Sequence, residues 1–205
     1  MSTVIWASLI RLLKKLRNFK TYVLSLVSNV DRRNHMLSIK DKIGLDFDFY
    51  DAKEPKDVTP EIENRYFKNV DFKQWDINSE AAMATFLSHL SLLKLSKDTN
   101  TNILVIEDDI DINREFNFDN INFNDFDLFN VGTKFGCYAY FVTPVGATNL
   151  LQHFDNTIIT QAYDWELSKI KHLRFQFTET PVFVQLENKF ISNISPNGYT
   201  KRKIC

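Results

Sequence analysis

Short unbroken apolar runs alternate along the chain with stretches of helical spacing. Thr21 to Val27 (TYVLSLV), Ile103 to Ile106 (ILVI), Leu128 to Val131, Gly136 to Thr143 (GCYAYFVT) and Pro181 to Leu186 (PVFVQL) read as strands, and Phe47 to Tyr50 reads as a shorter one ending at Asp51. Ser79 to Leu95, rich in Ala, Leu and Met, predicts the clearest interior helix. Pro144 at a first helical position opens another, and a short one carries Asp164 to Glu166. Ahead of the first strand, Ile5, Leu9, Leu12, Leu16 and Phe19 recur at spacings of four and three, with Arg11, Lys14, Lys15, Arg17 and Lys20 among them. That pattern predicts a basic amphipathic helix over residues 1–20, suited to a peripheral contact with an anionic membrane. Lys53 to Asn78 reads as a mobile excursion with little core, and Asn113 to Asp127 as a surface loop. Strands separated by helices in a chain of 205 residues predict one α/β domain over residues 21–194, followed by an exposed basic tail over 195–205.

One run carries chemistry. The strand Ile103 to Ile106 ends on three consecutive acids, Glu107, Asp108 and Asp109. Carboxylates crowded at the end of a buried strand repel one another and are costly to desolvate. A hard divalent cation, Mg²⁺ or Mn²⁺, would relieve both problems and keep positions open for phosphate oxygens. A solvated acidic turn is the plainer reading of the same triplet. After the first strand, Ser28, Asn29 and Asp31 suit a turn and a helix cap, which places Arg32 and Arg33 near a helix N-terminus, a natural seat for a phosphate.

Composition narrows the classes. A net charge of −1 gives the chain no electrostatic reason to bind nucleic acid. Two cysteines, Cys137 and Cys205, argue against a disulfide scaffold or a thiolate zinc site and for a cytoplasmic setting. No apolar run is long enough to cross a membrane. Phenylalanine is abundant, with 18 residues, and has no functional explanation at this level.

Taken in order, the motifs resemble glycosyltransferase family 25, the family of bacterial lipooligosaccharide β-galactosyltransferases and collagen galactosyltransferase domains. The pieces are VLSLVSNVDRR, DFDFYDA, FLSHLSLLK, ILVIEDDI, GCYAYFVTPVGATNLL, the Asp164 of YDWEL, and VFVQLENKFISNI with Gln185, Ser192 and Ile194. Two departures stand out: Ala82 replaces an acid seven positions before the helix histidine His89, and only residues 110–135 separate the acids from the Gly-aromatic strand.

The resemblance implies a GT-A-like, Rossmann-type domain with a mostly parallel sheet. It implies transfer of a hexose, galactose foremost, from a UDP-sugar to a glycan or lipid-linked saccharide, with inversion and dependence on Mn²⁺ or Mg²⁺. It places Ser28, Arg32, Arg33, Asp51, His89, Glu107 and Asp108 around the nucleotide-sugar, with Glu107 towards the ribose, and gives the metal to Asp109 and Glu107. Inversion needs a base for the acceptor hydroxyl. Asp164 is the first choice and Glu166 the second, since residues two apart on a helix point about 200° apart and cannot both face one substrate. Two other classes compete. A degenerate, non-catalytic nucleotide-sugar module would fit Ala82 and the short central segment. A metal-dependent phosphohydrolase would want more ligands, yet none of the four histidines, 35, 89, 153 and 172, forms a ligand pair in sequence.

Overall fold

The computed structural model describes residues 18–68, 79–134, 136–186 and 189–190. A six-stranded sheet forms the centre, in the order β2 (Asp48–Asp51), β1 (Phe19–Ser25), β3 (Asn102–Glu107), β6 (Ala139–Val142), β5 (Leu128–Asn130), β7 (Phe175–Phe177). All strands run parallel except β6, which is antiparallel to both neighbours. This is the expected α/β domain with a mostly parallel sheet, compatible with a Rossmann-like GT-A arrangement.

The unbroken apolar runs follow from burial on both faces. In β3, Ile103 and Val105 pack to one side while Leu104 and Ile106 pack to the other, and all four are fully buried. The first face is covered by α4 (Ser79–Thr99), α5 (Pro144–Asp155) and α6 (Tyr163–Ser168). The second is covered by α1 (Val30–Ser38), the short α2 (Lys40–Ile43) and an aromatic layer.

That layer corrects the reading of Asn113 to Asp127 as a surface loop. Phe118 and Phe126 are buried, and Phe123 packs edge-on against Phe141 of β6 at 5.7 Å. Phe19 meets the same Phe141 at 5.1 Å. Much of the phenylalanine excess therefore replaces a helical layer on this side of the sheet. Irregular spacing hid it, because an aromatic loop needs no period to bury its rings. Phe19 and Lys20 likewise belong to β1 and not to a preceding helix; residues 1–17 of the expected helix over 1–20 and the tail over 195–205 lie outside the described residues. Within the 53–78 stretch, Thr59 caps α3 (Pro60–Tyr66) and Phe67 is buried against Phe86 at 5.3 Å, so this part does contribute core. Residues 69–78 of that stretch are not described.

Two details position the site. A second, two-stranded sheet pairs β4 (Ile110–Ile112) with β8 (Phe183–Gln185), directly after the acids. Pro144 opens α5 as expected, with the Thr143 hydroxyl accepting from Gly146 N at 3.0 Å. Gly146 itself packs on β5's approach: a Cβ there would lie 2.1 Å from the Asp127 carbonyl oxygen. Gly146→Ala is expected to destabilise the fold by on the order of 3 kcal/mol, because backbone must move to admit the methyl group. Urea unfolding reads this directly, and an unchanged midpoint would show that α5 is not held this closely.

Candidate active site

β1 sits between β2 and β3, so the chain leaves β1 to one side first and later returns to the other. The crevice beyond the carboxyl ends of β1 and β3 is such a switch point, where open α/β sheets bind ligands. Ser25 ends β1, Asp51 ends β2, and Glu107 ends β3.

The three acids have three environments. Asp108 is buried and fully engaged. Its Oδ2 accepts from the Ser25 hydroxyl at 2.6 Å and from Asn29 Nδ2 at 3.3 Å, and its Oδ1 accepts from Arg32 Nη1 at 2.8 Å. Arg32 also lies 3.4 Å from Asp109 Oδ2. The counter-charge that makes the acidic cluster tolerable is thus partly built in. A guanidinium from the first turn of α1 neutralises Asp108 and leans on Asp109, as a buried carboxylate pair demands. Asn29, expected as a cap, makes no side-chain cap bond and spends its amide on Asp108 instead.

Asp109 is held differently. The Leu186 amide donates to its carbonyl at 2.7 Å, so the β4–β8 sheet fixes the turn. Among the described residues its Oδ1 is buried with no hydrogen-bond partner. Burial, then the Glu107 charge, push its carboxyl up to about 7, against the pull of Arg32 and a hydrogen bond from Gln185. Glu107 keeps 26% of its side-chain exposure, so it faces the crevice. Its carboxyl is pushed up to about 8 by burial first and then by Asp108 and Asp164.

Behind Glu107 stands His89, 1% exposed. Its Nε2 faces Glu107 Oε1 at 3.4 Å, its Nδ1 meets the Tyr140 hydroxyl at 2.9 Å, and its ring stacks on Tyr163 at 4.3 Å and 3°. Burial holds this imidazole down to about 3, so it is neutral. Ser88, beside it on α4, accepts from Lys53 N at 2.8 Å and ties the exit of β2 to the helix.

The remaining expected residues fall as follows. Arg33 donates to Asp51 Oδ1 at 2.6 Å and to Ser25 O at 2.9 Å, joining the ends of β1 and β2. Ser28 is exposed on the turn after β1. Asp164 is half-buried at the start of α6, accepts from Trp165 N at 2.9 Å, and its charge reaches both His89 and Glu107. Glu166 lies on the other side of α6, 1% exposed, where Oε1 accepts from Thr160 N at 2.7 Å and Lys169 Nζ at 2.9 Å. Those bonds anchor the loop entering α6, whereas the charge of Asp164 is felt at His89 and Glu107.

Sequence reading missed Ser25, Tyr140 and Tyr163, and noted Gln185 only for its spacing, because each acts through a partner far along the chain. It also missed three contacts of the other histidines. His35 Nε2 meets Ile110 O at 2.9 Å and its Nδ1 accepts from Lys189 Nζ at 2.9 Å, fastening α1 to the segment after β8. His153 and His172 come within 6.0 Å, ring to ring.

The donor set can be tested for a divalent ion. No group of three or more His, Cys, Asp or Glu side chains forms a metal cage among the described residues. A cation that keeps water and phosphate oxygens needs only one or two carboxylates. The unpartnered buried Oδ1 of Asp109 is the kind of oxygen that such an ion satisfies. The residues therefore fit a sparsely held cation, which would take Asp109 as its ligand with Glu107 adjacent. No helix among the described residues is long and apolar enough to cross a membrane.

Comparison with curated proteins returns no match. The model of glycosyltransferase family 25 (LPS biosynthesis protein) matches residues 18–126, just over half of the chain and every element that builds the acidic crevice except β6, β8 and α6, so the protein belongs to glycosyltransferase family 25.

Proposed function

We propose that this glycosyltransferase moves a hexose, galactose foremost, from a UDP-sugar to a hydroxyl of a glycan or lipid-linked saccharide, with inversion and with Mn²⁺ or Mg²⁺. The observation that carries the reading is the strand-end acidic turn at the switch point, where one buried Asp109 oxygen lacks a partner among the described residues and the charge of Asp164 reaches Glu107.

In this reading Asp109 holds the cation, with Glu107 beside it. When bound, the cation supplies charge neutralisation for the departing diphosphate. Asp108 keeps its Arg32 bond and holds the guanidinium aimed at the turn, where that cation would meet phosphate oxygens. Glu107, at the crevice wall, accepts from the ribose hydroxyls. Arg33, Asp51 and Ser28 line the nucleoside end. Asp164 takes the proton of the acceptor hydroxyl as the new glycosidic bond forms, which is the proton inversion requires. The basic stretch of residues 1–20 would bring the domain to an anionic membrane where a lipid-linked acceptor resides.

Incubation with UDP-galactose and Mn²⁺ tests the proposal. Slow UDP release that accelerates with a saccharide acceptor is expected. Release of inorganic phosphate would indicate a phosphohydrolase, and binding without turnover a module that has lost transfer.

A further inference from the structure

The face of Glu107 turned away from the crevice meets a polar chain sealed inside the first core cluster. Tyr163 OH lies 3.4 Å from Tyr140 OH, Tyr140 OH 2.9 Å from His89 Nδ1, and His89 Nε2 3.4 Å from Glu107 Oε1. Tyr140 is fully buried, His89 is 1% exposed and Tyr163 is 4% exposed. Such groups stay in a core only when their hydrogen bonds are satisfied together.

Their donors can be assigned by counting. A neutral imidazole carries one N–H and one lone pair. If the hydrogen sits on Nε2, Tyr163 donates to Tyr140, Tyr140 donates to Nδ1, and Nε2–H has the ionised Glu107 carboxylate as its acceptor, 3.4 Å from the nitrogen. Every donor then has an acceptor. If the hydrogen sits on Nδ1, the direction reverses. Tyr140 must donate to Tyr163, and the Tyr163 hydrogen has no acceptor among the described contacts. With Glu107 ionised, as at the mildly alkaline pH of the test below, an Nε2 lone pair would also face a carboxylate oxygen. The first direction leaves nothing buried unpaired.

We propose that Tyr163, Tyr140 and His89 form a one-way hydrogen-bond chain that presents a fixed N–H to Glu107 and so positions its carboxylate for the donor nucleoside. Tyr140 and Tyr163 are positioning residues, because neither reaches the crevice. His89 joins them, since its burial keeps it from touching the donor directly. The stacking of His89 on Tyr163 at 4.3 Å fixes the ring plane, and Tyr140 fixes the tautomer. The donor part of this inference rests on the transferase reading above; the chain itself does not.

Two measurements test it. Nitrogen-15 spectra of the imidazoles, taken on the ligand-free protein at mildly alkaline pH, are expected to show His89 with its hydrogen on Nε2. In Tyr140→Phe that preference should be lost, and affinity for UDP with Mn²⁺ should fall roughly 3- to 10-fold, the scale of one misplaced hydrogen-bonded group. His89→Gln, whose amide can still donate to Glu107, should keep most of the affinity that His89→Leu loses. A wild-type His89 protonated on Nδ1 overturns the chain, as does UDP affinity unchanged in both Tyr140→Phe and His89→Leu. The wild-type spectrum needs no variant to fold. If the wild-type protein binds no UDP at all, the transferase reading falls and the tautomer alone decides the chain.

Discussion

Replacing Asp164 with asparagine is expected to lower sugar transfer by a factor on the order of 10² or more, the usual scale for a positioned base. Donor affinity should survive, because the base acts on the acceptor. The substitution is gentle on the fold. Asp164 Oδ1 accepts from Trp165 N at 2.9 Å, and an asparagine oxygen can keep that bond. The half-exposed Trp165 beside it stays in place. Glu166→Gln is the control with the opposite outcome. Glu166 is 1% exposed and bonded to Thr160 and Lys169, so its loss should cost stability and leave the chemistry of the folded protein intact. Transfer rate, UDP affinity and melting temperature measured on both variants separate the roles. Normal turnover with a lowered melting temperature in Asp164→Asn would assign that residue to helix capping and remove it from the mechanism.

The second large effect is expected at Asp109. Asp109→Asn should abolish the stabilisation that Mn²⁺ and UDP together confer, while the apo fold becomes no weaker. The sign follows from the shifts at the acidic turn. Asp109 moves from 3.8 up to about 7 and Glu107 from 4.5 up to about 8 on folding, through burial and mutual repulsion. Between those limits the native state binds more protons than the unfolded chain, so stability falls as pH rises. The metal-free wild-type protein should therefore lose melting temperature steadily from about pH 4 to about pH 8. In Asp109→Asn that decline should be shallower. Divalent cation must displace the same protons, so the Mn²⁺-induced rise in melting temperature should grow across the upper part of this window. A variant that binds Mn²⁺ and UDP as well as the parent would move the cation to other ligands.

The Arg32 bond to Asp108 changes how the acidic triplet is understood. Three adjacent carboxylates look equivalent in sequence and invite one explanation for all. In the fold they divide: one is neutralised by arginine, one is left with an open oxygen, and one faces the crevice with a histidine behind it. Only Asp109 retains the character that the whole triplet suggested. The division arises because β3 ends at Glu107, so successive side chains of the turn leave the strand in different directions.

Much of the architecture was readable from local pattern. Ile103 to Ile106 had to be a doubly buried strand, because four consecutive apolar residues, three of them β-branched, suit no one-sided element. The start of α5 was readable from Thr143 and Pro144, since a cap and a fixed φ act within one turn. The acids, the paired arginines and Asp164 could be nominated because their chemistry is intrinsic to the residue type. Where local pattern failed, the cause was distance. The aromatic layer from Phe116 to Phe126 has no period, so its burial is decided by the sheet it meets. The short edge strand β7 was not anticipated; its three residues are mostly exposed, and Arg174 just before it is drawn to Asp127 at 2.7 Å, 47 residues away. Ser25 and Asp108 lie 83 residues apart, and His89 and Tyr140 lie 51 apart. What the sequence determined alone is which residues can bear charge, bind a cation or take a proton, and which segments must be buried. The tertiary structure decided which of those charges cancel and which remain for a substrate, because desolvation and pairing depend on neighbours that only the folded sheet brings together.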